Sequence, residues 1–473
     1  MKLSFNEKLK PTDSVCLILF TFAGALILFS FSYAKFDYLT TQTLEYFGLI
    51  AIPLFVLQIL GTIQIAKNNE KYKLKLAVFY TLLLAIFIVT AVFANFESAD
   101  YSYYLKNWFN TYHEMSFKDA LYHITDVSNY TQAYNYLLII FAKLNFNPLY
   151  SIKYFSFLFS IVLAVSMELL LTKLNNKKFN LFHLPIFILI PSICSEFAWW
   201  GQCDAIYTSF CLFAFYFALS KKSKLSFMFI GLAFASKLQF LFIVPILFVM
   251  LIIKDDSGNR YLKWKDIWIA PAMYLINIFP VFVGRSLSDT LLVYINQTGY
   301  YQFLSLGCAN VCEIFAYFNI TPGTLYTILF VFQITLSITL VLISVIFILK
   351  YSKSHTLSAY DLTFFATLIS FMMVFFMPKM LNRFYYITVS LAVVMLFEKP
   401  TKQNFKIALT FELSLYCMMF YAFKFADIRV ITISLISTPL AIILNIIGFV
   451  LMLQIFKKDY YFNLKNQPPQ ATA

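Results

Sequence analysis

Residues 75–100 read KLAVFYTLLLAIFIVTAVFANFESAD, and from Leu76 to Phe96 they carry neither a charge nor a proline. As a helix rising about 1.5 Å per residue, such a run crosses the ~30 Å hydrocarbon layer of a bilayer. It then stops on Glu97 and Asp100, so an apolar span delivers two carboxylates at its end. Similar runs recur along the chain. They predict spans at 14–34, 47–66, 75–95, 150–172, 181–198, 205–220, 225–236 with 239–253, 267–283, 324–349, 360–377, 384–398, 405–423 and 430–456. The pair at 225–253 is read as two short spans turning near Ser236, Lys237 and Leu238, because a lysine at mid-depth of one long helix is costly. The fold class is therefore all-α, a polytopic transmembrane helical bundle of about 13–14 spans.

Composition agrees. Of 473 residues 61% are hydrophobic and 12% charged, against roughly 45–50% and about 25% in soluble domains. This excludes a water-soluble enzyme and a disordered chain, and leaves nucleic acid without a role as partner. The net charge of +13 follows membrane topology instead.

Lys2, Lys8, Lys10, Lys67, Lys71, Lys73, Lys75, Lys173, Lys177 and Lys178 fall between alternate spans. So do Lys221, Lys222, Lys224, Lys254, Arg260, Lys263, Lys265, Lys350, Lys353, Lys399, Lys402, Lys406, Lys457, Lys458 and Lys465. Together they are 25 of the 36 basic residues. Lysine and arginine bias in loops sets orientation, so that side is expected to be cytoplasmic, with both termini inside. The first span is too long for a signal peptide and lacks a small-residue cleavage motif, so it is expected to be retained. Residues 1–74 then form an accessory hairpin, 75–456 the main bundle and 457–473 a cytoplasmic tail.

The seven cysteines form no CxxC pair and accompany no histidine cluster, so no metal site is expected. Cys308 and Cys312 share one loop, as a disulfide or as two thiols. The four histidines are scattered, and none pairs with a carboxylate at ligand spacing in the sequence. Asn129, Asn296 and Asn319 begin N-x-T sequons.

Two long outward loops hold most of the remaining polarity. In the first, Tyr104, Leu105, Trp108, Phe109 and Tyr112, then Phe117, Leu121 and Ile124, recur at helical spacing and predict amphipathic helices. Four clusters lie at the outer interface on this topology: Glu97–Tyr101, Trp199–Ala205, Ser236–Gln239 and Met377–Tyr386. Any one of them is ordinary, since a carboxylate caps a helix and an interfacial lysine snorkels. Four at one depth supply carboxylate bases, amides and cations able to hold a phosphate. A transporter instead tends to keep ionisable groups at mid-membrane, where only Glu168 and Glu412 are expected here.

FESADYSYYLKNWF (96–109) resembles the first-loop phrase S-x-D-Y-x-x-[FY]-L-x-x-W of the bacterial relatives of GPI mannosyltransferases, within the GT-C class of glycosyltransferases. SEFAWWGQCDAIYTSF (195–210) is similar to their W-G-Q-x-D-[AS]-[IL], and GLAFASKLQFLFIVPILF (231–248) to the following K-x-Q segment. FMPKMLNRFYY (376–386) resembles their late P-[KR]-M-H-E-R-[YF], with Leu381-Asn382 replacing the usual His-Glu. The resemblance runs in family order from Ser98 to Tyr386.

It implies a GT-C-like bundle that moves a hexose, mannose-like, from a polyprenyl-phosphate donor to a hydroxyl on a glycan or lipid acceptor, with inversion. Membrane lipid and the lipid-phosphate sugar co-substrate are the implied partners, and no separate cofactor is implied. Asp100 matches the family's first-loop aspartate and is nominated as general base, ahead of Glu97. Asp204 matches the W-G-Q aspartate and either orients a sugar hydroxyl or caps a turn. Tyr101 and Gln202 join the acceptor or sugar contacts. Lys237, Gln239, Lys379 and Arg383 are the candidates for the donor phosphate, Arg383 foremost because its fork grips two oxygens. Composition and phrases together favour a bacterial plasma membrane with the site outside, ahead of an endoplasmic-reticulum membrane with a lumenal site. A flippase for lipid-linked sugars is the alternative.

Overall fold

Burying a backbone in hydrocarbon requires every N–H and C=O to be met inside the segment, and a helix does this alone. Helices make up 79% of the computed structural model, with no strand among the described residues. Those residues are 41–67, 72–282, 290–291, 293–294, 303–316, 318, 320, 322–419 and 428–465. The expected span 14–34, the sequons at Asn296 and Asn319 and the tail from 466 lie outside them.

The main helices are α1 (Thr41–Lys67), α2 (Tyr72–Val92), α3 (Lys106–Glu114), α4 (Gln132–Lys143) and α5 (Pro148–Asn175). Then come α6 (Asp204–Leu219), α7 (Ser223–Ser236), α8 (Val244–Ile252) and α9 (Ile269–Phe282). They are followed by α10 (Thr324–Tyr351), α11 (Ala359–Phe376), α12 (Tyr386–Glu398), α13 (Lys402–Met419) and α14 (Ile428–Ile455). Local chemistry sets several boundaries. Asn147 caps α5 by accepting from the N–H groups of Leu149 and Tyr150, with Pro148 in the first turn. Ser358 and Asp361 cap α11 reciprocally.

Six helices among the described residues are long and apolar enough to cross a membrane, which makes this a membrane protein: α1, α2, α5, α10, α11 and the run Ser437–Leu464. Of the other expected spans, 14–34 lies outside the described residues, α6, α7 and α12 are shorter apolar helices, and two runs are broken. The run at 181–198 divides into helices His183–Ile188 and Pro191–Ser195 and a π-helical turn, Glu196–Trp200. Pro191 has no N–H to continue the first helix and so opens the second. The run at 225–253 breaks at Lys237, whose backbone is extended between α7 and a 3₁₀ turn, Leu238–Phe242. Two of the four polar clusters lie at these breaks, and the other two follow the ends of α2 and α11.

Helix α5 is central, packing against α4, α6, α12 and α1. One contiguous apolar core runs from Tyr46 to Tyr460. Between α2 and α5 the chain forms short amphipathic helices: α3 buries Phe109 and Tyr112 while Lys106, Asn107 and Asn110 stay exposed.

Glu168 is buried rather than snorkelling. It accepts from His183 Nδ1 at 2.7 Å and from the Asn180 N–H at 2.8 Å, tying the loop after α5 back onto the helix. His183 and also His123, 2.9 Å from Asp126, thus pair with carboxylates, which sequence spacing did not reveal. Glu412 accepts from the Ser192 N–H and hydroxyl at 2.8 and 2.7 Å. Lys153 on α5 and Glu196 in the run at 181–198 are further buried ionisable groups inside apolar spans. Cys308 and Cys312 are two buried thiols.

Candidate functional site

Four broken or terminating helices bring the four clusters to one cavity of about 380 Å³. After α2 ends, the Ser98 hydroxyl donates to the Trp200 carbonyl at 2.9 Å and accepts from the Tyr101 N–H at 3.2 Å. Asp100 therefore stands where the π-helical turn Tyr101–Leu105 begins.

The second arm turns at Gly201, whose φ of +63° is left-handed. A Cβ there would lie 3.1 Å from Ile152 Cγ2, so glycine answers both the backbone and the space. The Ser156 hydroxyl donates to the Gln202 carbonyl, and Glu196 accepts from the Ala205 N–H at 3.0 Å. Asp204 opens α6, where the positive end of the helix dipole favours a carboxylate. The third arm is the extended Lys237. The fourth runs from the end of α11 through Pro378 to Lys379, whose φ of +60° is uncommon for a residue with a Cβ. That conformation is held by tethers to the 304–307 segment: the Lys379 N–H donates to the Leu304 carbonyl at 2.7 Å, and Leu306 N–H to Met380 at 3.2 Å.

The charges meet in an ordered network. Asp204 has no exposed surface, and its oxygens take Lys237 Nζ at 2.6 Å and Arg383 Nε at 2.8 Å. Arg383 Nη1 reaches Asp100 Oδ2 at 3.2 Å, and Gln202 Nε2 donates to the same oxygen at 2.7 Å. Tyr130 closes the ring by donating to Gln202 Oε1 and accepting from Arg383 Nη2, both at 3.4 Å. Burial pushes the Tyr130 hydroxyl well above its usual range, with Cys203 adding to it and Arg383 opposing, so it stays neutral. Aromatic faces surround the cations: Arg383 lies 5.3 Å from the Trp200 ring centre, and Lys237 within 5.9 Å of Tyr130, Tyr207 and Phe384.

Asp100, Gln202, Lys237, Gln239, Lys379 and Arg383 line the cavity. Gln239 Oε1 is buried without a hydrogen-bond partner among the described residues, an acceptor suited to a ligand hydroxyl. The other three nominated residues stand elsewhere. Glu97 is turned to the surface beside Lys106 at 3.8 Å and Ser102 at 3.4 Å. Tyr101 is packed into the core. Asp204 is an anchor beneath Lys237 and Arg383, with both oxygens engaged by cations.

Tyr104, Trp108 and Tyr130 complete a polar-aromatic wall, while Phe330 and Ile334 of α10 form an apolar one. Sequence reasoning did not find Tyr130 as a site residue. Its neighbour Asn129, read as the start of a sequon, faces the same cavity. The Leu381-Asn382 departure divides: Leu381 lines the cavity, whereas Asn382 is buried and donates to the Met418 carbonyl at 3.2 Å. No protein-family model matches the chain, and no curated protein matches it either.

Proposed function

We propose that this chain is an integral-membrane glycosyltransferase of the GT-C class, taking a mannose-like hexose from a polyprenyl-phosphate donor to a hydroxyl acceptor. The observation that carries the reading is a single cavity in which Asp100 stands beside Arg383, with Lys237 and Lys379 on its walls and an apolar side on α10. Its volume of about 380 Å³ falls within the roughly 300–1,000 Å³ of small-ligand sites.

The chemistry follows from the geometry. Gln202 and Arg383 both engage Asp100 Oδ2, so Oδ1 is the oxygen left to accept a proton. An acceptor hydroxyl gives its proton to Oδ1 as its oxygen attacks the anomeric carbon from the face opposite the phosphate. The bond from that carbon to the phosphate oxygen breaks, its electron pair stays on the phosphate, and the anomeric configuration inverts. Charge then grows on the leaving phosphate, where fixed cations in a water-poor site stabilise it strongly. Arg383 donates its Nε–H to Asp204 and one Nη2 N–H to Tyr130, while Nη1 stands 3.2 Å from Asp100, so at least two of its five N–H groups remain for an oxyanion. Three cations against two carboxylates leave one positive charge, which matches a phosphodiester monoanion. The Phe330–Ile334 wall on the lipid-facing α10 suits a polyprenyl chain.

The basic-residue bias supports a cavity on the outer face of a bacterial plasma membrane, with both termini in the cytoplasm. Purified protein in lipid vesicles, given a labelled polyprenyl-phosphate sugar and a hydroxyl acceptor, tests the reading. Transfer without any ion gradient is the expected result. Movement of intact donor across the vesicle without transfer points to a flippase instead.

A further inference from the structure

Lys153 is 1% exposed on α5, and among the described residues no carboxylate stands within ion-pair distance of it. A cation buried in an apolar span is expensive and calls for a role. Its Nζ donates to the carbonyls of Phe93 and Ala94, the latter at 3.3 Å, where the chain leaves α2 six residues before Asp100. Its stem passes beneath the Gly201 turn, with Cγ 3.6 Å from where a Cβ of residue 201 would lie. Less than one turn along the same helix, Ser156 donates to the Gln202 carbonyl. The face of α5 that carries Lys153 thus holds both the segment that ends on Asp100 and the turn that carries Gln202. The Ser98 bond to Trp200 joins those two segments directly.

We propose that Lys153 is the positioning residue of the site: by tying the carbonyl end of α2 above the Gly201 turn, it fixes the reach from Gln202 to Asp100. It does not line the cavity and acts only through Asp100. The kinetic part of this inference rests on the transferase reading; the geometric part does not.

Two variants of the full chain in lipid test it. Lys153→Met keeps the stem and removes the donors, and Lys153→Gln keeps an N–H donor without the charge. The first readout is oxidative cross-linking of an Asp100→Cys, Gln202→Cys pair with the native cysteines replaced. Cross-linking is expected to slow with Lys153→Met and to recover with Lys153→Gln. The second readout is sugar transfer, where Lys153→Met should lower kcat by about 10²-fold, the scale of a 1 Å misplacement, with the donor KM little changed. On an Asp100→Asn background Lys153→Met should cause no further loss, because the two act as one unit. Unchanged cross-linking in Lys153→Met, or an undiminished extra loss on the Asp100→Asn background, overturns the proposal. Should Lys153→Met fail to accumulate, Lys153→Leu, which also lacks the donors, takes its place in both readouts, and cross-linking at the parent rate there overturns the proposal equally. Slowed cross-linking in a protein that transfers no sugar sinks the transferase reading and leaves the positioning role standing.

Discussion

Gln202 Nε2 donates to Asp100 Oδ2 at 2.7 Å across 102 positions of sequence. The contact joins the end of one apolar helix to a glycine turn between two others. Because Tyr130 donates to Gln202 Oε1, the amide is oriented with its N–H toward the carboxylate. Gln202→Leu removes that donor and leaves Asp100 held by Arg383 alone. The expected result is a fall in kcat of up to about 10²-fold from lost orientation. It is checked by steady-state transfer kinetics beside a thermal melt, since an unfolded variant would lose the melt as well.

Gly201 should be intolerant of a side chain. Its left-handed backbone costs an L-residue about 1–2 kcal/mol, and a new methyl would press on Ile152 at 3.1 Å. Gly201→Ala is expected to destabilise the protein by at least that much, read as a lower melting temperature in a mild detergent. A melt equal to the parent would mean the turn is not held as described.

Asp204 anchors two cations with no exposed surface. Breaking such a pair by removing one partner typically costs about 3–5 kcal/mol, so Asp204→Ala should be the most destabilising of the site variants. Arg383→Ala should lose at least about 2 kcal/mol of transition-state stabilisation. Arg383→Lys should recover only part, because one ammonium cannot reach Asp100, Asp204 and Tyr130 together. Full activity of Arg383→Ala at subsaturating donor would remove the cation from the leaving-phosphate role.

Much of this was legible in the sequence, for a physical reason. Apolar runs and the residues that stop them are local signals, so the bounds of α5, α6, α10, α11 and α12 were readable within a few residues. The turn at Lys237 was too, since a lysine inside a helix of lipid depth is costly. Convergence of the four clusters was not a local signal. The expected topology put them in one layer, but that Asp100, Gln202, Lys237, Gln239, Lys379 and Arg383 line one cavity depends on packing around α5. Tyr130 looked like one aromatic among many in a loop, and Glu97 stood second to Asp100 as the candidate base. Three residues of separation turn Glu97 outward to Lys106 and Asp100 inward to Arg383. The Lys153 signal was present as a cation inside the apolar run from 150 to 172. Its partners are backbone carbonyls, which no side-chain pattern reveals.

Orientation follows from charge bias and is open to direct test. Single cysteines at Asn176 and Ser257, both exposed, should be protected from an impermeant thiol reagent in intact cells, on a background without native cysteines. A cysteine at Asn110 on the exposed face of α3 should react. Labelling of the first pair in sealed cells would reverse the topology and put the cavity on the cytoplasmic side.

Asp100→Asn is the most direct measurement. The substitution keeps the size of the side chain and its contact with Gln202 but removes the proton acceptor, so folding and donor binding should persist. General-base contributions are typically about 10²–10⁴-fold, and turnover of a polyprenyl-phosphate sugar by the purified variant in lipid should fall within that range while its melting temperature stays near the parent's. Transfer at the parent rate by Asp100→Asn would contradict the assignment, and with it the reading of this cavity as a glycosyl-transfer site.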